Sequence, residues 1–578
     1  MKRHGGELLV DTLQRAGIDT LFTLHGGHLD AILQAAAEAG MRLVDTRHEQ
    51  AAGHAADGWA RTTGRPGVAV VTAGPGFTDC VTAIANAHLD AVPTLFIAGA
   101  APLRDAETLP LQGGIDQVAI VASITKWAHR ITHTHRIPDL VARALTIACT
   151  GRPGPVFLEI PIDVLFASAE HEPAIGLETS PSPPAPTAAA VVTAAEWLAA
   201  GERPAILAGG GAWFSGLGDE LTQLAERFGA PVFANSKARG MISDVHPLSG
   251  GGFTNLAIAS MGAGGPDVVL VLGARLGLFT GGRSGSLIPA DAKVIHVDVE
   301  PEEIGRNRDV ELAITADCRE TVLALLAATA GAAPREHTQW QQSIAMVRGA
   351  GQMMFAEQIQ STEAPIHPYK LMVELAKVLP EDSIVAADGG ETAGWMEMAA
   401  RVHHGGHWMS HGYLGCLGTG MPFAIAAQVA HPDKRVVCVV GDGSVGLNFA
   451  EFDTMVRHQL PIVVVVNNDQ LWGMSAHGQD LIYGRDKRVA TELGFVRYDL
   501  AAAGFGCHAE CVTEPAELPG ALERAFASGK PACVNVMTDP EVISPVTMAL
   551  VGKLGGDDGE GADGEVVVPY YDNLRQTP

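Results

Sequence analysis

Two short runs late in the chain have the residue types to hold a phosphorylated ligand through a metal ion. One is Val439-Val440-Gly441-Asp442-Gly443-Ser444, the other Val465-Val466-Asn467-Asn468-Asp469-Gln470. In each, an apolar β-branched run predicts a strand that stops at small and polar residues. Gly441 and Gly443 let the backbone approach a bulky anion, and the helix expected next would turn unpaired N–H groups toward it. Asp442 and Asn468 stand one strand–helix–strand repeat apart, which places both side chains at the same sheet edge. A carboxylate, an amide oxygen and nearby carbonyls make a hard-oxygen set, and Mg²⁺ takes such oxygens at about 2.1 Å while sharing phosphates. A third run, Arg47-His48-Glu49-Gln50, opens a predicted helix after the strand-like Leu43 to Thr46. A carboxylate there is favoured by the helix dipole alone and acquires chemistry only from its surroundings.

Strand ends must hold these groups, and the chain alternates the necessary patterns. Val68 to Val71 and Thr94 to Ile97 flank a helical pattern from Phe77 to Leu89. Val268 to Leu272 and Val294 to Val297 read as strands, and Val436 to Val440 and Ile462 to Val466 flank a helix from Phe449 to His458. Buried apolar strands joined by helices predict parallel sheets covered on both faces. Prolines crowd Pro173 to Pro186, and a softer break runs from Gly331 to Pro368. The predicted architecture is α/β, with three consecutive doubly wound parallel-sheet domains near 1–172, 188–330 and 366–540. Ligands of such sheets bind at the carboxyl ends of the strands. In the remaining segment, 541–578, a Gly-rich acidic spacer precedes Val566-Val567-Val568-Pro569-Tyr570-Tyr571 and predicts a lid.

Composition narrows the function. The formal net charge of −26 argues against non-specific nucleic-acid binding, which needs clustered Lys and Arg, and against docking on an anionic membrane. No apolar run is long enough to span a bilayer. The eight cysteines are scattered, several inside strand-like runs, and predict reduced thiols in a cytoplasmic protein.

The run Val44-Asp45-Thr46-Arg47-His48-Glu49-Gln50-Ala51-Ala52-Gly53-His54, followed by Gly58-Trp59-Ala60-Arg61 and Thr72-Ala73-Gly74-Pro75-Gly76, resembles the pyrimidine-binding domain of thiamine diphosphate enzymes of the acetolactate synthase type. The resemblance extends over nearly the whole chain, the three segments resembling the pyrimidine-binding, central and diphosphate-binding domains. It implies Asp442, Asn468 and the main-chain oxygen of Gln470 as Mg²⁺ ligands. It also implies Glu49 as the acid beside the aminopyrimidine, where it lets the cofactor activate itself. Leu417 is implied as the aliphatic prop of the bent cofactor. Gly74, Asp388-Gly389-Gly390-Glu391-Thr392, Gly441, Gly443, Ser444, Trp472, Gly473 and Met474 are implied around it. The family's site lies between subunits, so the resemblance implies a homodimer or homotetramer in which Glu49 and Asp442 meet across an interface.

Substrate choice rests on other residues. Leu111-Gln112-Gly113-Gly114-Ile115-Asp116-Gln117 is similar to a stretch of 2-hydroxyacyl-CoA lyases, with one extra residue. Gly273-Ala274-Arg275-Leu276-Gly277 lacks the acidic pair usual in FAD-binding synthases. Arg152, Arg275 and Asp298 match the related decarboxylases whose central domain binds ADP, and suit a diphosphate and a ribose hydroxyl. The sequence reading is therefore a 2-hydroxyacyl-CoA lyase with ADP preferred to FAD. It takes an acyl-CoA, with Gln112 at the site and Glu492 or His28 handling the hydroxyl proton. The alternative is an acetolactate synthase or another keto-acid carboligase or decarboxylase.

Overall fold

A computed structural model describes residues 2–170, 174–177, 181–280 and 287–551. Three six-stranded sheets organise them, and every strand pair within the three is parallel. The three doubly wound α/β sheets expected from the sequence are present. Both faces of each are apolar: Val68, Val70, Leu95, Ile97, Val156 and Leu158 share one cluster, while Ala69, Phe96 and Phe157 between them are equally buried. This period-two burial on two faces is why the strands read as unbroken apolar runs.

Each sheet grows first to one side of its earliest strand and then to the other. In the first, Thr20–Leu24 lies between Arg42–Asp45 and Gly67–Val71. In the second, Pro204–Ala208 lies between Val232–Ala234 and Val268–Leu272. In the third, Ile384–Asp388 lies between Trp408–Ser410 and Val436–Gly441. At each reversal two loops leave the carboxyl ends in opposite directions, which opens the crevice where doubly wound sheets bind ligands.

By packing, the chain forms two units. One comprises residues 1–182, 411–433 and 448–462, with the first sheet; the other comprises 183–410, 434–447 and 463–578, with the second and third. Helix Gly420–Ala430 therefore belongs with the N-terminal sheet, although it lies in sequence between strands of the third. The soft break at 331–368 is structured: Thr338–Met354 is a helix whose Trp340 and Ile344 are buried beside Val269 and Val271 of the second sheet. The apolar plug expected of the lid lies outside the described residues; the last described element is helix Pro545–Val551. No described helix is long and apolar enough to cross a membrane. All eight cysteines are free thiols.

Candidate active site

At the third sheet's reversal, Asp388 is level with Val440, and Gly441 with Asn467. The loops beyond them interlock. A methyl on Gly389 would lie 3.2 Å from Ser444 Oγ, and one on Gly441 would lie 3.2 Å from Thr392 Oγ1. One on Gly390 would lie 2.7 Å from the Met474 side chain, and one on Gly443 2.5 Å from the Trp472 ring. Gly389, Gly390, Thr392, Gly441, Gly443, Ser444, Trp472, Gly473 and Met474 thus share one edge, as expected.

Asp442 is buried there. Its Oδ1 accepts the Gly443 N–H at 2.9 Å, while Oδ2 has no partner among the described residues. Asn468 Oδ1 accepts the Gln470 N–H at 3.2 Å, and Asn468 Nδ2 donates to Asn535 Oδ1 at 2.9 Å. Gln470 takes a left-handed backbone, φ +65°, and its carbonyl accepts the Leu493 N–H at 2.8 Å. Burial, reinforced by the Asp469 carboxylate, pushes the Asp442 carboxyl well above its ordinary range. Two buried acids with an open carboxylate oxygen form a site that a divalent cation neutralises. The donor set fits Mg²⁺, which Asp442, Asn468 and the Gln470 carbonyl would hold.

The Glu391 side chain is held within its own unit. One carboxylate oxygen accepts from the Ser544 N–H at 3.3 Å and from Thr547 Oγ1; the other lies 2.9 Å from His477 Nδ1. These bonds commit the carboxylate to helix Pro545–Val551 and to His477, so only the main chain of Glu391 is available to a cofactor. Glu492 is exposed, and its backbone bridges to Leu471.

In the other unit, helix Glu49–Thr63 opens at the predicted acid, which is 9% exposed. His48 caps it, Nδ1 accepting the Gln50 N–H at 3.1 Å, and the Arg47 N–H donates to Glu451 Oε1 at 3.1 Å. Small residues let neighbours close in: a methyl on Gly53 would meet Ala83 at 2.5 Å, and one on Gly58 would meet the Phe423 backbone at 2.8 Å. The turn after Gly67–Val71 passes in front of Glu49, and a methyl on Gly76 would lie 3.0 Å from Glu49 Oε1. His28 and Gln112 reach the same strand edge. His28 Nδ1 is 3.5 Å from Thr72 Oγ1, burial lowers its pKa, and Gln112 packs on Gly74, whose added methyl would sit 3.0 Å from Gln112 Cβ. Half-buried Leu417 follows Cys416, whose Sγ is 3.6 Å from His54 Nε2. The preceding loop is held by the Tyr413 N–H on Asp90 at 3.2 Å, and Asp90 by buried Arg61 at 2.8 Å.

The nucleotide candidates fall in different units. Arg275 and Asp298 follow neighbouring strands of the second sheet, where Asp298 Oδ1 accepts the Glu300 N–H at 2.9 Å. The glycines there fill one another's space: a methyl on Gly209 would lie 2.2 Å from the Gly273 carbonyl oxygen. Arg152 belongs to the other unit; it precedes strand Pro155–Pro161, at the amino-terminal edge of the first sheet, and donates to the His88 carbonyl at 3.3 Å.

Residues 3–120 match the family described as "Thiamine pyrophosphate enzyme, N-terminal TPP binding domain", 191–325 match its central domain, and 388–536 match its C-terminal TPP binding domain. The chain is 36% identical over 550 residues to "Acetolactate synthase large subunit IlvG" of Mycobacterium tuberculosis, covering 94% of this chain and 97% of that protein. The chain belongs to the acetolactate synthase-like thiamine pyrophosphate enzymes. It is also 32% identical over 540 residues to "Acetolactate synthase isozyme 1 large subunit" of Escherichia coli, covering 93% and 94% of the two chains. These relatives carry synthase names and lend the 2-hydroxyacyl-CoA lyase reading no support. Within this thiamine enzyme, Asp469, Gln117 and Glu451 support the site without having been singled out from the sequence. Asp469 and Gln117 stood inside quoted motifs, and Glu451 carried no local signal.

Proposed function

We propose that the chain is a thiamine diphosphate-dependent carboligase of the acetolactate synthase type, using a 2-keto acid as donor. The observation that supports this most is end-to-end similarity to synthase large subunits, beside a buried Glu49 and the Asp442–Asn468–Gln470 oxygen set. When bound, the cofactor supplies a carbanion at its thiazolium. The chain's part is positional: Glu49 would hold the aminopyrimidine, and Asp442, Asn468 and the Gln470 carbonyl would hold Mg²⁺ at the diphosphate edge. His28, whose pKa burial lowers, exchanges a proton with the substrate's oxygen. The test is incubation with pyruvate, thiamine diphosphate and Mg²⁺, with acetolactate as the product sought. Absence of acetolactate together with cleavage of a 2-hydroxyacyl-CoA would select the second reading, the lyase.

We also propose that two copies complete each site, one giving Glu49 and the other Asp442. Mixing Glu49→Gln with Asp442→Ala protein, each inactive alone, should restore about a quarter of wild-type activity after random reassociation of a symmetric dimer. No recovery in a confirmed mixed oligomer would refute the shared site. Small molecules released from purified protein, read by mass spectrometry, decide between ADP and FAD at the Asp298 edge.

A further inference from the structure

Gln117 is buried, 2% exposed, and every polar atom of its amide is used. Its Oε1 accepts the Gly74 N–H at 3.0 Å. Its Nε2 donates to the Gly99 carbonyl at 3.0 Å and to Glu159 Oε2 at 3.0 Å. Glu159, 1% exposed, is ion-paired through its other oxygen with half-exposed Arg130. The two glycines so held are the ones on which the site candidates His28 and Gln112 rest. A methyl on Gly74 would lie 3.0 Å from Gln112 Cβ, and one on Gly99 would lie 2.6 Å from His28 Cβ.

We infer that Gln117 is the positioning residue that sets the spacing of His28 and Gln112, with Glu159 fixing the sense of its amide. The orientation follows from donor and acceptor identity. A carboxylate only accepts, so the Gln117 NH₂ must face Glu159, which leaves Oε1 for Gly74. Arg130 pairs with the remaining Glu159 oxygen. One amide thereby ties the turn after Gly67–Val71 to strand Thr94–Ala100 behind both side chains. Displacement of a reacting group by about 1 Å costs on the order of 100-fold in rate, so loss of the tie should appear in turnover ahead of binding. This inference rests on reading His28 and Gln112 as groups that face the substrate.

The test uses the full-length protein with Gln117→Leu, which removes all three bonds, and Glu159→Gln, which unlocks the amide without removing it. Deuterium exchange of the cofactor-free protein reads the Gly74 amide directly. In Gln117→Leu, exchange in the peptide spanning 72–77 should accelerate by roughly 10-fold or more, as expected for an amide that loses its buried partner, while helix Gly473–Tyr483 of the other unit is unchanged. With cofactor, kcat should fall by about 10- to 100-fold, with KM and thiamine diphosphate affinity within about threefold of wild type; Glu159→Gln should fall between. Wild-type exchange at Gly74, or wild-type kcat in folded Gln117→Leu, overturns the assignment. Should Gln117→Leu fail to fold, Glu159→Gln decides, and wild-type exchange and kcat in it are equally fatal. If wild-type protein makes no acetolactate while the Gly74 effect is present, the synthase reading falls and the positioning role is measured on the substrate that is turned over.

Discussion

Replacing His54 with leucine should abolish an acid sensitivity of the N-terminal unit. His54 is completely buried between helix Glu49–Thr63 and the Cys416 loop. Its Nε2 is 3.3 Å from Gln50 Nε2, and its Nδ1 has no partner among the described residues. Burial, helped by Arg61 and His48, pushes its pKa down from 6.5 to about 3. The unfolded chain therefore binds a proton that the folded chain refuses. Stability is fully present above the unfolded pKa and drains away as pH falls from there toward the folded value. Between pH 7 and pH 5 linkage gives a loss of about 2 kcal/mol from this residue alone, or about 4–8 °C in Tm for a folding unit of 150–250 residues. Leucine fills the space without the titration. At pH 7 the variant should match wild type within about 1 kcal/mol, since the lost hydrogen bonding is offset by removing an unpaired polar atom. At pH 5 it should be the more stable protein. Exchange protection of helix Glu49–Thr63, followed at both pH values, localises the effect. Parallel loss of protection in the two proteins would refute the reasoning.

Glu451 predicts the opposite trend. Burial raises its carboxyl to about 7 against the ordinary 4.5, so its contribution is present in acid and lost as pH rises through about 7. Glu451→Gln should remove a loss of up to roughly 3 kcal/mol between pH 5 and pH 8, measured by urea titration at each pH. Gly443→Ala drives a methyl to 2.5 Å from the Trp472 ring. Calorimetry should show thiamine diphosphate binding weakened by about 10-fold or more, with Tm in the absence of cofactor changed by only a few degrees.

What the sequence revealed follows the range of the interactions. The strand ends carrying Asp442 and Asn468, and the helix start at Glu49, are local strand–turn–helix events, and the structure has them where the residues indicate. The side-chain partners of Glu391, Ser544 and Thr547, lie over 150 positions away; nothing in Gly389-Gly390-Glu391 announces them. Gln117 was legible as part of a motif, but its work depends on Glu159, 42 positions on and two strands across. The helix inside 331–368 is hidden for a related reason: Pro and Gly flank it, and its buried residues Trp340 and Ile344 pack beside Val269 and Val271 of the second sheet.

The return of helix Gly420–Ala430 to the N-terminal unit bears on how the chain is made. Arg47 waits for Glu451, 404 positions later, and Gly58 for Phe423. At roughly 5–20 residues per second of synthesis, Arg47 is made about 20–80 s before Glu451 is translated. Through that interval the small, apolar flank of Glu49–Thr63 faces solvent or a chaperone. The surroundings of Glu49 are thus among the last parts of the N-terminal unit to be assembled, and a nascent chain stalled before residue 420 carries Glu49 without them.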